Sequence, residues 1–400
     1  MRVLSSVSQP FTPKGELLLM METFRQMVNE CIRIGLEQKK TSMKSLCLAC
    51  YPQLKKYEIL SYYKLCAISR ASGILSNYRK IIRKNEKKRK EGKYAKDPQI
   101  PYCTEPSLVN CYRIKVKDGK LHSPSIDPIP LNDYVLKRLS QATEIRSVVV
   151  STRTISICIS TEVEAIECTG MIGIDTNLEN VSMADSDGYV KMYRMDEIAE
   201  AKQKYREVKS HFKRNDVRIS EEVFGKYGKL QADKAQSEIN KITARVVKHA
   251  KEKKLGIALE NLKEIRKLYR KGNGQGKKYR ARLNSWAFGE FQRQIEYKAK
   301  LNGLIVIKVN PRGTSAECST CWSKMSPEEN RMLYCTSCGM HMDRDVNASY
   351  NIMKGGLAKL FALRFNPYGQ QNEAVVQERS EEGPNPESRL LEVNAELTPS

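Results

Sequence analysis

The sequence predicts a multidomain α/β protein, and three observations carry that prediction. The chain has 400 residues, which is more than one typical domain. Apolar residues make up 40% of the chain, enough to bury real hydrophobic cores. Beyond residue 170, helical segments alternate with short apolar strands, a pattern that indicates a mostly buried sheet covered on both faces.

Charge and cysteine usage restrict the class of partner. Lys and Arg number 69 against 46 Asp and Glu, so the formal charge is +23. On a large folded body this charge favours a polyanion in a groove, which means nucleic acid rather than a membrane surface. The sequence contains no apolar run long enough to span a bilayer and no apolar signal core, so a cytoplasmic protein is expected. Twelve cysteines diluted over this length indicate a reducing compartment.

The N-terminal part is predicted to be a β-rich module interrupted by helices. Apolar residues recur at spacings of three and four over 15–97, which indicates helices. Prolines and β-branched runs follow in 98–165, with a hairpin expected over 146–160. An opening strand in 1–14 is expected to join the same sheet. Cys47 and Cys50 have no second cysteine pair and are expected to lie in a helical core.

The end of the helical segment is heavily basic. A basic run is often only a solvated helix face, but with this overall charge contacts to nucleic-acid phosphates are the favoured interpretation. The residues concerned are Arg79, Lys80, Arg83, Lys84, Lys87, Lys88, Arg89 and Lys90.

Three apolar strands are predicted in the C-terminal part, at 171–175, 256–260 and 304–309. The first is expected to pair with 181–184 through a turn near 185–188. The helices between and after these strands are predicted at 196–213, 221–253 and 285–301.

Four cysteines fall within 21 residues in the pattern CxxC-x13-CxxC. This spacing lets four thiolates meet one tetrahedral ion, and it is typical of structural zinc sites. The predicted ligands are Cys318, Cys321, Cys335 and Cys338.

Acidic residues form the second constellation. Asp175 and Glu260 each end an apolar strand, and Asp345 lies in an Asp-Val-Asn-Ala segment. A single acid after a strand is usually a turn or helix cap. Three acids in one α/β unit instead favour convergence on two Mg²⁺ ions for phosphodiester hydrolysis.

Four segments, taken in order, resemble one family. They are Gly173–Asp175, Ile257–Leu262, the stretch from Trp286 into the cysteine pairs, and Asp343–Ile352. Together, over residues 171–353, they resemble TnpB, the transposon-encoded RNA-guided nucleases (OrfB type) related to compact type V CRISPR effectors.

The resemblance implies a RuvC-type, RNase H-like nuclease domain over 166–313 and 342–365, with an inserted zinc ribbon over 314–341. It also implies an N-terminal wedge-type module (1–14 and 98–165) interrupted by a helical recognition lobe (15–97).

For the site, the resemblance implies that Asp175, Glu260 and Asp345 are catalytic and hold two Mg²⁺ ions, with Asp343 as the fallback for the third acid. It further implies a bound guide RNA from the transposon end and a double-stranded DNA target next to a short motif. The number of chains on one RNA is left open.

The chain departs from the family pattern at two places. Thr176-Asn177 follow Asp175 where a Leu-Gly type pair is common, which puts the turn beside the metals in question. Trp322 replaces the usual glycine after the first cysteine knuckle, which concerns only the packing of the ribbon.

Two further segments carry expectations. Residues 263–282 hold nine Lys or Arg, including Lys277, Lys278, Arg280 and Arg282, and form either a lid over single-stranded DNA or an ordinary surface loop. Residues 366–400 are predicted to be an acidic disordered tail, either solvated or acting as a flap over a basic groove.

Two other functions share these features. A nucleic-acid-binding regulator without nuclease activity needs the basic surface and the ribbon but not the acids. A transposase or resolvase accessory acts on DNA without RNA. Because all three acids are present, the sequence favours cleavage.

Overall fold

A computed structural model describes residues 1–212, 219–262, 265, 274–284 and 286–365. At residues 220, 221, 278, 281, 282, 364 and 365 the backbone alone is described. The predicted tail and most of the basic loop lie outside these residues. The described chain divides near residue 162 into two compact units.

The N-terminal unit contains two antiparallel sheets and four helices. Its strands are β1 (Arg2–Pro10), β2 (Ser107–Asn110), β3 (Lys115–Lys117), β4 (Lys120–Ser123), β5 (Ile126–Pro130), β6 (Glu144–Ser151) and β7 (Thr154–Glu162). Its helices are α1 (Glu16–Glu37), α2 (Met43–Leu54), α3 (Ser61–Lys90) and α4 (Asp133–Leu139). One sheet has the order β1-β7-β6-β2 and the other β3-β4-β5, so the opening strand does pair beside the predicted β6–β7 hairpin.

Strands and helices of this unit share one hydrophobic core. The inward face of α1 repeats at helical spacing through Met21, Phe24 and Val28, all nearly inaccessible. Cys47 and Cys50 are buried in the same core, as the sequence predicts. The sequence pattern predicts neither the β3-β4-β5 sheet nor α4, because those segments are too short and polar for a periodicity signal.

The C-terminal unit is built on a five-stranded mixed sheet. Its strands are β8 (Gly170–Thr176), β9 (Asn180–Asp185), β10 (Val190–Arg194), β11 (Leu255–Glu260) and β12 (Val306–Val309), in the order β10-β9-β8-β11-β12. Strands β8, β11 and β12 are parallel, and β9 and β10 are antiparallel to their neighbours. The turn near 185–188 joins β9 to β10, not β8 to β9 as predicted; residues 177–179 make the earlier turn.

The described residues of this unit form the α-helices α5 (Asp196–Ser210), α6 (Gly225–Lys253), α7 (Lys277–Asn284), α8 (Phe288–Leu301) and α9 (Arg344–Phe365). A π-helical turn, Ile219–Phe224, leads into α6. Strand residues of both sheet faces, such as Met171 and Ile172, are buried in one core with α6, α8 and α9. The buried sheet is therefore as the sequence predicts. No helix in the described ranges has the length and apolarity needed to cross a bilayer.

The cysteine ribbon, residues 314–343, is a small three-stranded sheet of β13 (Ser326–Pro327), β14 (Met332–Tyr334) and β15 (His341–Asp343). It extends two residues beyond the predicted segment. Its own buried cluster consists of Cys318, Met325, Leu333 and Cys335. A cluster of this size is too small to hold the ribbon together without help from a metal ion or from its neighbours.

Candidate active site

Two of the predicted acids stand at neighbouring strand ends. In the parallel pairing of β8 with β11, Ile174 lies opposite Leu259. Asp175 and Glu260 are the next residue of each strand, so both carboxylates leave the sheet at the same edge. Adjacent strands lie about 4.8 Å apart, which makes these two acids close neighbours.

Both acids also share one face of the sheet. A Cβ at Gly173 would overlap the backbone of α9 at Ser349 and Met353, so the α9 backbone lies directly on that side of β8. On β11, Ala258 contacts α9 at Gly356 in the same way. Because side chains alternate along a strand, Asp175 and Glu260 point to the face that α9 covers.

The third acid begins that helix. Asp345 is the second residue of α9, and its carbonyl accepts a hydrogen bond from the Ser349 hydroxyl one turn later. Asp343, the fallback for this role, instead caps the helix: its carboxylate accepts the backbone N–H of Asp345 at 2.8 Å and of Val346 at 3.1 Å. The geometry therefore favours Asp345 as the third acid.

Each acid is held by a neutral donor. The Asn177 amide donates to Asp175 at 2.8 Å, and the Asn180 amide donates to Asp345 at 3.0 Å. The Asn177 amide also lies 3.2 Å from the Asn180 side-chain oxygen, which links the two acids through the β8–β9 turn. On β11, the Thr314 hydroxyl donates to Glu260 at 2.6 Å. The Thr176-Asn177 departure thus supplies a donor to the site.

Burial sets the ionisation of the acids. Asp175 is buried, and this burial together with the nearby Glu260 charge raises the pKa of Asp175 to about 7, although the Asn177 hydrogen bond opposes the rise. Burial likewise raises the pKa of Glu260, against the hydrogen bond from Thr314. Crowded carboxylates with raised pKa values are typical of functional sites.

Arg331 is a site residue that the sequence reasoning missed. It lies at the end of a short 3₁₀ turn of the cysteine ribbon, and its guanidinium forms an ion pair with the Asp345 carboxylate. The Arg331 side chain is 54% exposed, whereas Asp345 is almost fully buried. An exposed arginine on a short turn has no periodicity signal, so only its distance in space to Asp345 reveals it.

The acids fit hard divalent cations by their chemistry. They offer oxygen ligands only. Burial and the nearby Glu260 charge raise the pKa of Asp175, and a bound cation would offset both effects. Among the described ion pairs, none involves Asp175 or Glu260. Among the described residues, however, the carboxylates of the three acids are not all close enough to one another to form one metal-ligand group. In this structure Asp345 is paired with the Arg331 guanidinium.

The sulfurs of the four cysteines, by contrast, lie close together in this structure. All four sulfurs lie within 4.8 Å of one another, with 3.6 Å between Cys318 and Cys338 and 3.4 Å between Cys321 and Cys335. A tetrahedral zinc site with Zn–S bonds of about 2.3 Å needs sulfurs about 3.8 Å apart. The residues therefore fit Zn²⁺, and they form the one such ligand group found among the described residues.

The helix that carries Asp345 also holds the ribbon. The Asn347 side chain accepts the Ser319 N–H at 2.9 Å and donates to the Glu317 carbonyl at 2.8 Å. Asn351 donates to the Thr314 carbonyl at 2.9 Å. The Asp-Val-Asn-Ala segment thus has two structural roles. Asp345 faces the other two acids, and Asn347 forms hydrogen bonds that hold the first cysteine knuckle.

The predicted phosphate-binding residues lie on both units. The eight that were predicted on α3 are all exposed, and Arg89 forms an ion pair with Asp97. In the C-terminal unit, Lys277 is exposed and Arg280 donates to the Gln275 carbonyl. The side chains of Lys278 and Arg282 lie outside the described residues.

Comparison with known proteins finds related chains. Residues 288–352 match the family model "Cas12f1-like, TNB domain". The TnpB-like protein MJ0751 of Methanocaldococcus jannaschii is 34% identical over 189 residues, which cover 45% of this chain and 67% of that protein.

The chain belongs to the TnpB family. Cas12f1 of Sulfoacidibacillus thermotolerans is 34% identical over 82 residues, 20% of this chain and 19% of that protein. The structure of a Cas12f1–sgRNA–target DNA complex has a TM-score of 0.53 at 15% identity and covers 85% of this TnpB-family chain and 83% of its own. CasPhi-2 (Cas12j) bound to crRNA has a TM-score of 0.50 at 10% identity, over 89% and 98% of the two chains. These structural likenesses concern the fold.

Proposed function

We propose that this protein is an RNA-guided DNA endonuclease that hydrolyses DNA complementary to a bound guide RNA. One observation carries the proposal. Asp175 and Glu260 end neighbouring parallel strands on the face covered by α9, and Asp345 begins α9. A RuvC-like nuclease site needs acids in this relation, and the family relatives are named as TnpB-like proteins and a CRISPR-associated endodeoxyribonuclease.

The chain's own residues would prepare the acids for magnesium. Asp175, as the central acid, and the flanking Glu260 and Asp345 supply the ligands, while Asn177 and Thr314 fix the rotamers of two of them. Two bound Mg²⁺ ions would activate a water and stabilise the leaving oxygen of the phosphodiester. Burial keeps bulk water from competing for the carboxylates.

Arg331 would have two partners in turn. In the metal-free protein its guanidinium neutralises Asp345. Because the side chain is about half exposed, it is free to turn toward a DNA phosphate once cations replace it on the carboxylate.

The cysteine ribbon would bind one structural Zn²⁺ through Cys318, Cys321, Cys335 and Cys338. Its role is to present Arg331 to the acids. The exposed basic residues of α3 would contact RNA or DNA phosphates, and the protein would recognise the shape of the guide–target heteroduplex, since base pairing supplies the sequence specificity.

The test is cleavage by the purified ribonucleoprotein on DNA matched to its guide, whose sequence comes from sequencing the RNA that co-purifies. Asp175→Ala should lower cleavage at least about 10³-fold while RNA and DNA binding stay close to wild type. The matched control is Asp187→Ala, an exposed acid at the opposite end of the same sheet, which should cleave normally. Parallel loss of binding and cleavage in Asp175→Ala would make Asp175 a structural residue.

The Arg331–Asp345 ion pair also favours a second candidate, a guided DNA-binding regulator without nuclease activity. In that protein the arginine would neutralise the third acid permanently. Shifted but uncut DNA, with Mg²⁺ present and guide RNA bound, would identify the regulator. If no RNA co-purifies, a transposase or resolvase accessory becomes the better reading.

A further inference from the structure

A cavity of about 460 Å³ lies directly beside the acids. The β8–β9 turn forms one wall, including Asn177 and Asn180, the same residues that donate to Asp175 and Asp345. A single asparagine side chain therefore separates the cavity from the Asp175 carboxylate, and another separates it from the Asp345 carboxylate. Its volume falls within the range of about 300–1,000 Å³ that is usual for sites binding small ligands.

A second wall is aromatic and apolar. It is made by Tyr279 and Leu283 of α7 and by Trp286 in the connection to α8. Tyr279 is 54% exposed, and the Trp286 ring packs against Phe288 at 4.8 Å between centroids. Rings held in this way offer flat faces for stacking another planar group.

The Trp286 indole also has an unused donor. Its N–H is shielded from solvent and donates to no partner within the described part of the chain. An indole nitrogen can only donate, and leaving a shielded donor unsatisfied is costly. Because water does not reach this N–H in the open cavity, Trp286 offers a ligand its ring and not its N–H.

Two arginines complete the lining on the side of the acids. Arg331 comes from the cysteine ribbon and Arg344 from the start of α9, and both are exposed. Glu179 in the same lining is exposed as well and would repel an anion from its own part of the cavity. An anionic group is thus favoured beside the arginines, and a planar group beside Tyr279 and Trp286.

A nucleotide of single-stranded DNA carries this combination of groups. We propose that the cavity binds the base of the nucleotide next to the scissile phosphate, turned out of the stack, with Tyr279 and Trp286 stacking on it. This inference deepens the proposed nuclease function and rests on it for the identity of the strand. A base that is paired in a duplex cannot enter the cavity, so the cavity selects single-stranded substrate.

The first experiment measures binding without cleavage. The chain has two tryptophans, so Trp322→Phe leaves Trp286 as the only one. In the ribonucleoprotein carrying this change, without added magnesium, a thymidine oligonucleotide should quench the Trp286 fluorescence. A strand of the same length made of abasic residues should bind about tenfold more weakly at this site, because it has no base to stack. Equal quenching by both strands, or none by either, would overturn the proposal.

The second experiment couples the wall to one nucleotide. In single-turnover cleavage, replacing the base beside the cut by an abasic residue should slow the wild-type protein about tenfold. Tyr279→Ala and Trp286→Phe should each cleave the normal strand more slowly, and base removal should slow Tyr279→Ala little further. Additive losses from the variant and the base removal would reject the contact. Tyr227→Ala, at another exposed tyrosine that lies on α6 outside the cavity, serves as the matched control and should behave as wild type.

The two assays keep the inference separate from the nuclease proposal. If no variant and no wild-type sample cleaves DNA, base-dependent quenching of Trp286 still supports the cavity as a base site. If cleavage is normal and insensitive to Tyr279 and Trp286, the nuclease stands and the base site does not.

Discussion

The cysteine ribbon and the acidic site gather metal ligands in two different ways. In the ribbon, four sulfurs from two short knuckles lie within 4.8 Å of one another. The buried cluster of the ribbon has four residues, and two of them are these cysteines. At the acidic site, the ligands are far apart in the chain and are positioned by a large core of β8, β11 and α9. Ion binding should therefore be needed for folding in the first region and only for chemistry in the second.

The charges at the acidic site agree with this difference. Asp175 and Glu260 are buried, and Asp175 also lies near the Glu260 charge, so the pKa values of both acids rise. The third acid has an arginine as its substitute cation. A site built in this way can be emptied without unfolding, and variants of the two regions should therefore fail in different ways.

The largest effect is expected in the ribbon. Cys335→Ser should abolish zinc binding and expose residues 314–343 to proteases, because a structural zinc ion contributes about 10–16 kcal/mol to folding of such a segment. Metal content by mass spectrometry and limited proteolysis measure both. Cys103→Ser, a partly exposed cysteine of the other unit, is the control. Wild-type zinc content in Cys335→Ser would contradict the cysteine site.

Next comes Glu260→Gln, which should separate chemistry from folding. The Thr314 hydroxyl can still donate to the amide oxygen, and the change removes a buried charge, so the melting temperature should not fall below wild type while cleavage falls about 10³-fold, or about 4 kcal/mol. Zinc content should not change. Glu252→Gln, an exposed glutamate of α6, controls for the loss of one charge. A large loss of stability in Glu260→Gln would contradict the division between the two regions.

The third effect is a pH dependence of stability. The pKa of Asp175 is about 7 when folded, against an ordinary value of 3.8. Between these values the folded protein keeps a proton that the unfolded chain releases, so stability falls as pH rises from about 4 to 7. The loss is on the order of 3 kcal/mol. Asp175→Asn should remove it, and the melting temperature of this variant should gain roughly 5–10 °C on wild type between pH 4.5 and 8 without magnesium. A pH-independent difference between the two proteins would refute the raised pKa.

The smallest effect is expected at Asn177, which belongs to the Thr176-Asn177 departure from the family pattern. Asn177→Ala removes a hydrogen bond that favours the ionised form of Asp175, so the pKa of Asp175 should rise further. Cleavage should fall about threefold to tenfold at pH 7 and recover at higher pH. The pH–rate profile measures this shift. An equal loss at every pH would mean that Asn177 acts only by shaping the β8–β9 turn.

Local pattern predicted much of this fold, and the errors have identifiable causes. The strands ending at Asp175 and Glu260 are apolar runs bounded by polar residues, so their ends were readable. The prediction for the turn at 185–188 is wrong, because its Asp and Gly residues indicate a turn but not which two strands the turn joins. The β3–β5 strands are only three to five residues long, which leaves too few residues for an alternating pattern.

The sequence by itself determined which ligand types exist and how the cysteines group, because a CxxC knuckle is a local structure that needs no distant partner. It also placed acids at strand ends, since strand periodicity is local. The tertiary structure alone decided that Asp343 caps α9 while Asp345 meets the sheet, that Arg331 reaches Asp345 from the ribbon, and that Trp286 borders a cavity beside the acids. Those contacts join separate segments, and their distances follow from the packing of α9 and the ribbon on β8 rather than from any spacing along the chain.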